Sequence, residues 1–208
     1  MRILLLVLVL LALPVLALPA AAAAYPWPVK PFDRQHPIRG FFGDPRTVYA
    51  GDVGDNGIAG PGSFSFHQGV DIVAPDGTPV YAIADGRIRH MGAATLNLVT
   101  RNAVTFQYFH VVAVVGEGQH VVARRTVIGY VQAPFGHVHI SEIRGGRAVN
   151  PLQRGHLTPY FDSTRPTVAS ILVENQDGVV QDPTGLCGRV QIVADAFDTP
   201  PLRVTGKF

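Results

Sequence analysis

Turn-forming residues limit what this chain can fold into more than any other feature. Glycine and proline number 22 and 17 among 208 residues, and of these only Pro14 and Pro19 lie before Tyr25. Beyond that point they make up about a fifth of the chain, against roughly 12% in an average protein. No window shows a sustained 3.6-residue apolar period. Short apolar or alternating runs stand between the breakers: Ser63 to His67, Val70 to Ala74, Thr78 to Ile83, Arg87 to Met91, two within Leu96 to Val115, Gln119 to Ala123, Thr126 to Val131 and His137 to Ile143. Short strands at such spacing predict an all-β, antiparallel domain and exclude a helical bundle or coiled coil. Tyr25 to Phe66 is so dense in breakers that only a short edge strand within Arg39 to Gly43 is expected there.

A hydrophobic content of 47% with 15% charged residues would suit a membrane protein were it evenly spread. It is not: residues 1–24 are apolar apart from Arg2, Pro14 and Pro19. Arg2, the apolar run Ile3 to Leu18 and the small residues ending at Ala24 read as a secretory signal peptide cut after Ala24. The run is short for a span of ~20 residues. A secreted or periplasmic protein of the cell envelope is therefore expected, touching membrane only through the leader if that stays uncleaved. A formal net charge of +2, without a long basic run, argues against nucleic acid as a partner. A single cysteine, Cys187, excludes an internal disulfide and is expected as a small buried apolar residue. Trp27 is expected to pack in the core. No feature sets an oligomeric state.

Three separated segments put ionisable residues where a β core would take apolar ones. In His67-Gln-Gly-Val-Asp71 an extended backbone would point His67 and Asp71 to one side across Gly69. In His137-Val-His139 the same alternation puts both histidines on one face. Phe106-Gln-Tyr-Phe-His110 delivers His110 at the end of an aromatic strand. Two histidines and a carboxylate are a common catalytic zinc set, leaving a fourth position for water. A further histidine nearby can move that water's proton or bond to a developing oxyanion. No H-E-x-x-H helix is present to supply a glutamate base.

The segment His67-x-Gly-x-Asp-Ile-x-Ala-Pro-x-Gly-Thr-Pro-Val-Tyr-Ala82 resembles the signature of the M23 metallopeptidases of the lysostaphin/LytM type. Tyr108-Phe-His110, Gly118-Gln-His-Val121, His137-Val-His139 and Asn150-Pro-Leu152 follow in the family's order, so the likeness runs from about residue 38 to 152. It implies a small antiparallel sheet groove and a secreted zinc metalloendopeptidase that hydrolyses peptide bonds in bacterial peptidoglycan. By the same resemblance His67, Asp71 and His139 would hold one Zn2+ ion. His110 and His137 would orient or deprotonate water and stabilise the tetrahedral intermediate. The alternative is an inactive LytM-like module that binds peptidoglycan or activates another cell-wall hydrolase. A carrier-type hairpin at Val80 to Met91 lacks a modifiable lysine, since only Lys30 and Lys207 exist.

This chain departs from the family pattern in two places. Gly92 to Leu98 is shorter and lacks a Gly-Tyr-Gly pattern, and Ser141 stands where many relatives have Phe. His36, His90, His120 and His156 are expected outside the site, and Arg39 and Tyr81 are groove candidates. The organisation expected is a signal peptide at 1–24, a Pro/Gly-rich segment at 25–62, the catalytic core at 63–152, a linker at 153–165 and a β-rich extension at 166–208. The extension, with strands at Val168 to Val173, Arg189 to Ala194 and Leu202 to Val204, is too short for an independent sandwich.

Overall fold

The computed structural model describes residues 24–48 and 63–204. The expected signal peptide, Ala24 apart, thus lies outside the described residues. Every regular element among them is a strand. Near the N-terminus lie β1 (Ile38–Gly40), β2 (Pro45–Val48) and β3 (Ser63–Phe66). The central run is β4 (Val70–Val73), β5 (Pro79–Tyr81), β6 (Gly86–Gly92), β7 (Thr95–Val99), β8 (Thr105–Phe109), β9 (Val111–Ala113), β10 (His120–Val121) and β11 (Val127–Val131). Then come β12 (His137–Arg144), β13 (Arg147–Val149), β14 (Thr167–Glu174) and β15 (Gln191–Phe197).

The main sheet runs β1-β4-β12-β8-β7-β6-β10, with β13 paired to β12, and all its pairings are antiparallel. A smaller sheet, β5-β11-β9, packs beside it, and β2-β3 and β14-β15 are separate hairpins. The expected edge strand near Arg39 is present as β1. Leu202 to Val204, expected as a strand, forms none.

Register decides which face of the main sheet is dry. Leu96, Tyr108 and Ile140 stand opposite one another across β7, β8 and β12, and so do Leu98, Phe106 and Glu142. These six are buried and face the core. The intervening rows Thr95–Phe109–His139 and Asn97–Gln107–Ser141 face the other way. A slip of one residue would exchange the two sets. Tyr25, Trp27 and Val29 belong to the same buried cluster as Ile72 and Ile140, so the start of the Pro/Gly-rich segment is woven into the core. The Trp27 indole donates to the Pro159 carbonyl at 2.9 Å, joining the two ends of this region.

Glu142 is the one acidic side chain on the core face among the described residues, and it is fully buried. The Tyr25 hydroxyl donates to it, as do His156 Nδ1 at 2.7 Å and Arg144 Nε at 2.5 Å. A buried carboxylate is tolerated only with its lone pairs filled in this way. His156 therefore serves packing, outside the site as expected. Cys187, expected to be buried, is exposed, because the extension that carries it has no core of its own to bury it in.

Candidate metal centre

His67, Asp71 and His139 bring one ligand atom each within 4.8 Å of one another. Asp71 and His139 are directly paired residues of β4 and β12. His67 arrives differently from the strand alternation expected. It lies between β3 and β4, and its backbone is held by Asp44 and Gly43 (His67 N to Asp44 O, 2.8 Å; Gly43 N to His67 O, 2.8 Å). Gly69 leaves the room: a β-carbon there would sit 2.4 Å from the Ile140 carbonyl and 2.5 Å from His139 Nε2. Gly40 does the same for the carboxylate, since its β-carbon would meet Asp71 Oδ2 at 2.4 Å.

Hydrogen bonds at the back of each ring set which nitrogen faces inward. His67 Nδ1 donates to the Phe41 carbonyl at 2.8 Å, so the neutral ring turns its Nε2 lone pair inward. His139 Nε2 lies 2.8 Å from Ser141 Oγ, which can accept from it and free Nδ1. The two inward nitrogens are 2.8 Å apart, at 3.3 and 3.0 Å from Asp71 Oδ1. Two imidazole nitrogens and a carboxylate converging with their outer atoms anchored is the donor set of a divalent cation such as zinc. Burial works against ionised Asp71, but hydrogen bonds with His139 and His67 outweigh it and hold the carboxyl well below the usual range.

His110 and His137 stand beside this cluster, 4.7 Å apart between ring centroids. His137 Nδ1 donates to the Phe135 carbonyl at 2.7 Å and turns Nε2 to within 3.6 Å of Asp71 Oδ1. His110 follows β8 with φ of 60° and stacks on Phe135 at 3.9 Å. Burial first, then the nearby His137 and His139, push its pKa down to about 4. Burial lowers that of His137 as well, against the opposing pull of the Phe135 bond and Asp71. Both rings are therefore neutral near pH 7 and able to accept a proton.

The structure brings all five expected residues together and keeps His36, His120 and His156 away. Arg39 reaches the site's edge, donating from Nη1 to the Phe135 carbonyl at 3.0 Å. Tyr81 instead packs against Phe32 and Lys30. Sequence reading missed three contributors: Ser141, Phe135 and Arg46. Arg46 Nη2 pairs with Asp71 Oδ2 at 3.0 Å. It comes from the breaker-rich segment, where no periodicity announced a strand. Ser141 had a signal, as the next same-face residue after His139.

Residues 65–151 match peptidase family M23. No curated protein sequence matches the chain. Among solved structures it is similar to Csd3 from Helicobacter pylori, with 22% identity over 67% of this chain and 36% of that one, at a TM-score of 0.46. A zinc containing peptidase from Vibrio cholerae aligns at 21% identity over 62% of this chain and 39% of that one, with a TM-score of 0.45. The catalytic domain of the antimicrobial peptidase lysostaphin from Staphylococcus simulans aligns at 22% identity over 56% and 89%, with a TM-score of 0.41. The chain spans little more than a third of the length of the first two. The stretch that matches peptidase family M23, residues 65–151, encloses all five clustered residues, and the strands that carry them belong to an all-β fold.

Proposed function

We propose that this chain is an exported zinc metalloendopeptidase that hydrolyses peptide bonds in bacterial peptidoglycan. The observation that supports it is the convergence of His67 Nε2, Asp71 Oδ1 and His139 Nδ1 beside two further neutral histidines. In this reading the three hold one Zn2+. Bound there, zinc would polarise the scissile carbonyl and make water acidic near neutral pH. His110 and His137 then take the attacking water's proton, steady the oxyanion and return the proton to the leaving amine. Phe135 keeps both rings in place, by stacking on His110 and by accepting from His137 Nδ1. Asn97 and Gln107, half-buried on the same face as His139, offer amide groups for a peptide backbone.

One contact favours a second reading, a LytM-like module that binds peptidoglycan or activates another hydrolase without cutting. Arg46 holds Asp71 Oδ2 and competes with a cation for the carboxylate.

Metal analysis and clearing of purified cell walls test the choice. Wild type should carry about one zinc per chain and clear walls. His67→Ala should lose both, and His110→Ala should keep zinc and lose clearing. A wild type without stoichiometric zinc overturns the enzyme reading, and zinc without clearing supports the module.

A further inference from the structure

A cavity of about 1130 Å³, apart from the metal cluster, opens at the far ends of the strands that carry that cluster. Arg144 on its wall is five residues along β12 from His139, about 17 Å at the rise of an antiparallel strand. Val104, Phe106, Arg87, Arg89, Arg101 and His120 are among the residues that line the cavity. The one carboxylate in the lining, Asp85, accepts the Ala123 amide at 2.8 Å. A chain whose formal net charge is only +2 thus gathers four guanidinium groups around one opening.

Local structure aims them there. Arg87 stands opposite His120 on β10 and Val99 on β7. Arg89 falls where the β6–β7 register shifts between Ile88 and His90, and such a bulge redirects the side chain it carries. Arg101 sits in a turn closed by Thr100 N to Val104 O at 3.0 Å and Ala103 N to Thr100 O at 3.2 Å. Arg87 spends one N–H on the Gly118 carbonyl at 3.0 Å, and Arg144 turns its Nε to Glu142 beneath. The Arg89 and Arg101 side chains have no hydrogen bond or ion pair among the described residues.

We propose that this cleft binds a linear phosphate-bearing polymer, at a site separate from the metal cluster and independent of the peptidase reading. Guanidinium forks match phosphate oxygens in pairs. Each unit of such a polymer carries its negative charge on a pair of non-bridging oxygens, the paired acceptor geometry that a guanidinium fork fills. The cations are spread over β6, the β7–β8 turn and β12, which suits successive anions along a chain better than one small ion.

Short-chain inorganic polyphosphate, titrated into the full chain at several salt concentrations, tests this. Binding should weaken steadily with salt through counterion release. The double variant Arg89→Gln/Arg101→Gln should bind roughly tenfold or more weakly, and Arg89→Lys/Arg101→Lys should fall between, with thermal unfolding unchanged in both. Polyglutamate of matched charge and phosphatidylglycerol vesicles should bind more weakly than polyphosphate. No polyphosphate binding, or binding indifferent to the Gln substitutions, overturns the proposal. Equal affinity for polyglutamate means the cleft reads charge alone, and tighter binding to vesicles makes a lipid surface its occupant. Either of those results also overturns it.

Discussion

Strands β12 and β14 are both eight residues long, yet the first six residues of β12 are buried and none of β14 is. Composition does not separate them. Thr-Val-Ala-Ser-Ile-Leu-Val-Glu is the more apolar of the two, and His-Val-His-Ile-Ser-Glu-Ile-Arg the more polar. The difference lies in their neighbours. β12 is flanked by β4 and β8 and backed by the Trp27–Ile72 cluster, whereas β14 has β15 alone. On the hairpin Ile171 faces Ala194 and Val173 faces Ile192, which makes one face wholly apolar there, yet Ile171 and Ile192 remain 63% and 75% exposed. A strand forms from local preference and one partner, but burial requires a second layer.

The largest effect expected from this contrast is on stability. Trp27→Ala should cost about 3–5 kcal/mol of unfolding free energy, and Ile192→Ala less than about 0.5 kcal/mol, both read from urea melts. Similar losses at the two positions would break the comparison by showing that the hairpin is covered in solution.

Glycines sharpen it next. Gly69→Ala drives a methyl into the Ile140 carbonyl and His139, so a loss of about 1–3 kcal/mol is expected, together with lost zinc binding. Gly185 meets nothing within 4 Å, and Gly185→Ala should change neither. Calorimetry and metal analysis on the pair check both statements.

A smaller effect is confined to the site. Ser141→Ala removes the hydroxyl behind His139 and should weaken zinc affinity about 10–100-fold, with the urea midpoint little changed. Chelator competition measures this. An unaltered affinity would show that His139 is oriented by its strand alone.

The smallest effect is a pH slope. Burial, against Trp27 at 5.2 Å between centroids, lowers the pKa of His36, despite opposing bonds to Pro31 and Val29. The folded state therefore resists protonation of this ring. Its contribution to stability is intact above the unfolded value of about 6.5 and is lost as pH falls from there towards the folded value. His36→Gln should flatten the stability profile over that window, and a profile identical to wild type would show that His36 does not contribute.

Much of this was legible in the residues themselves. Alternation in His137-Val-His139 places both rings on one face whatever surrounds the strand, because side-chain direction in a strand is a backbone property. The terminal position of His110 follows equally from the length of its aromatic run. His67 was reached by a wrong local route, since 67–69 is not a strand, yet Gly69 marked the close approach correctly. Arg46 was illegible: its partner Asp71 is 25 residues away, and no periodicity near Pro45 indicated a strand. The burial expected for Cys187 failed for the same reason that β14 is exposed.

By itself the sequence determined an all-β chain of short strands, because breakers and two-residue alternation act through local sterics. Its motifs, with the family resemblance they carry, also put His67, Asp71 and His139 forward as candidates for a metal centre. Only the tertiary structure decided that Ser141 stands behind His139, that Phe135 holds two rings at once and that four arginines share one cleft. It alone left the apolar face of the β14–β15 pair uncovered. Those outcomes depend on sheet order and register between distant segments, which no local pattern encodes.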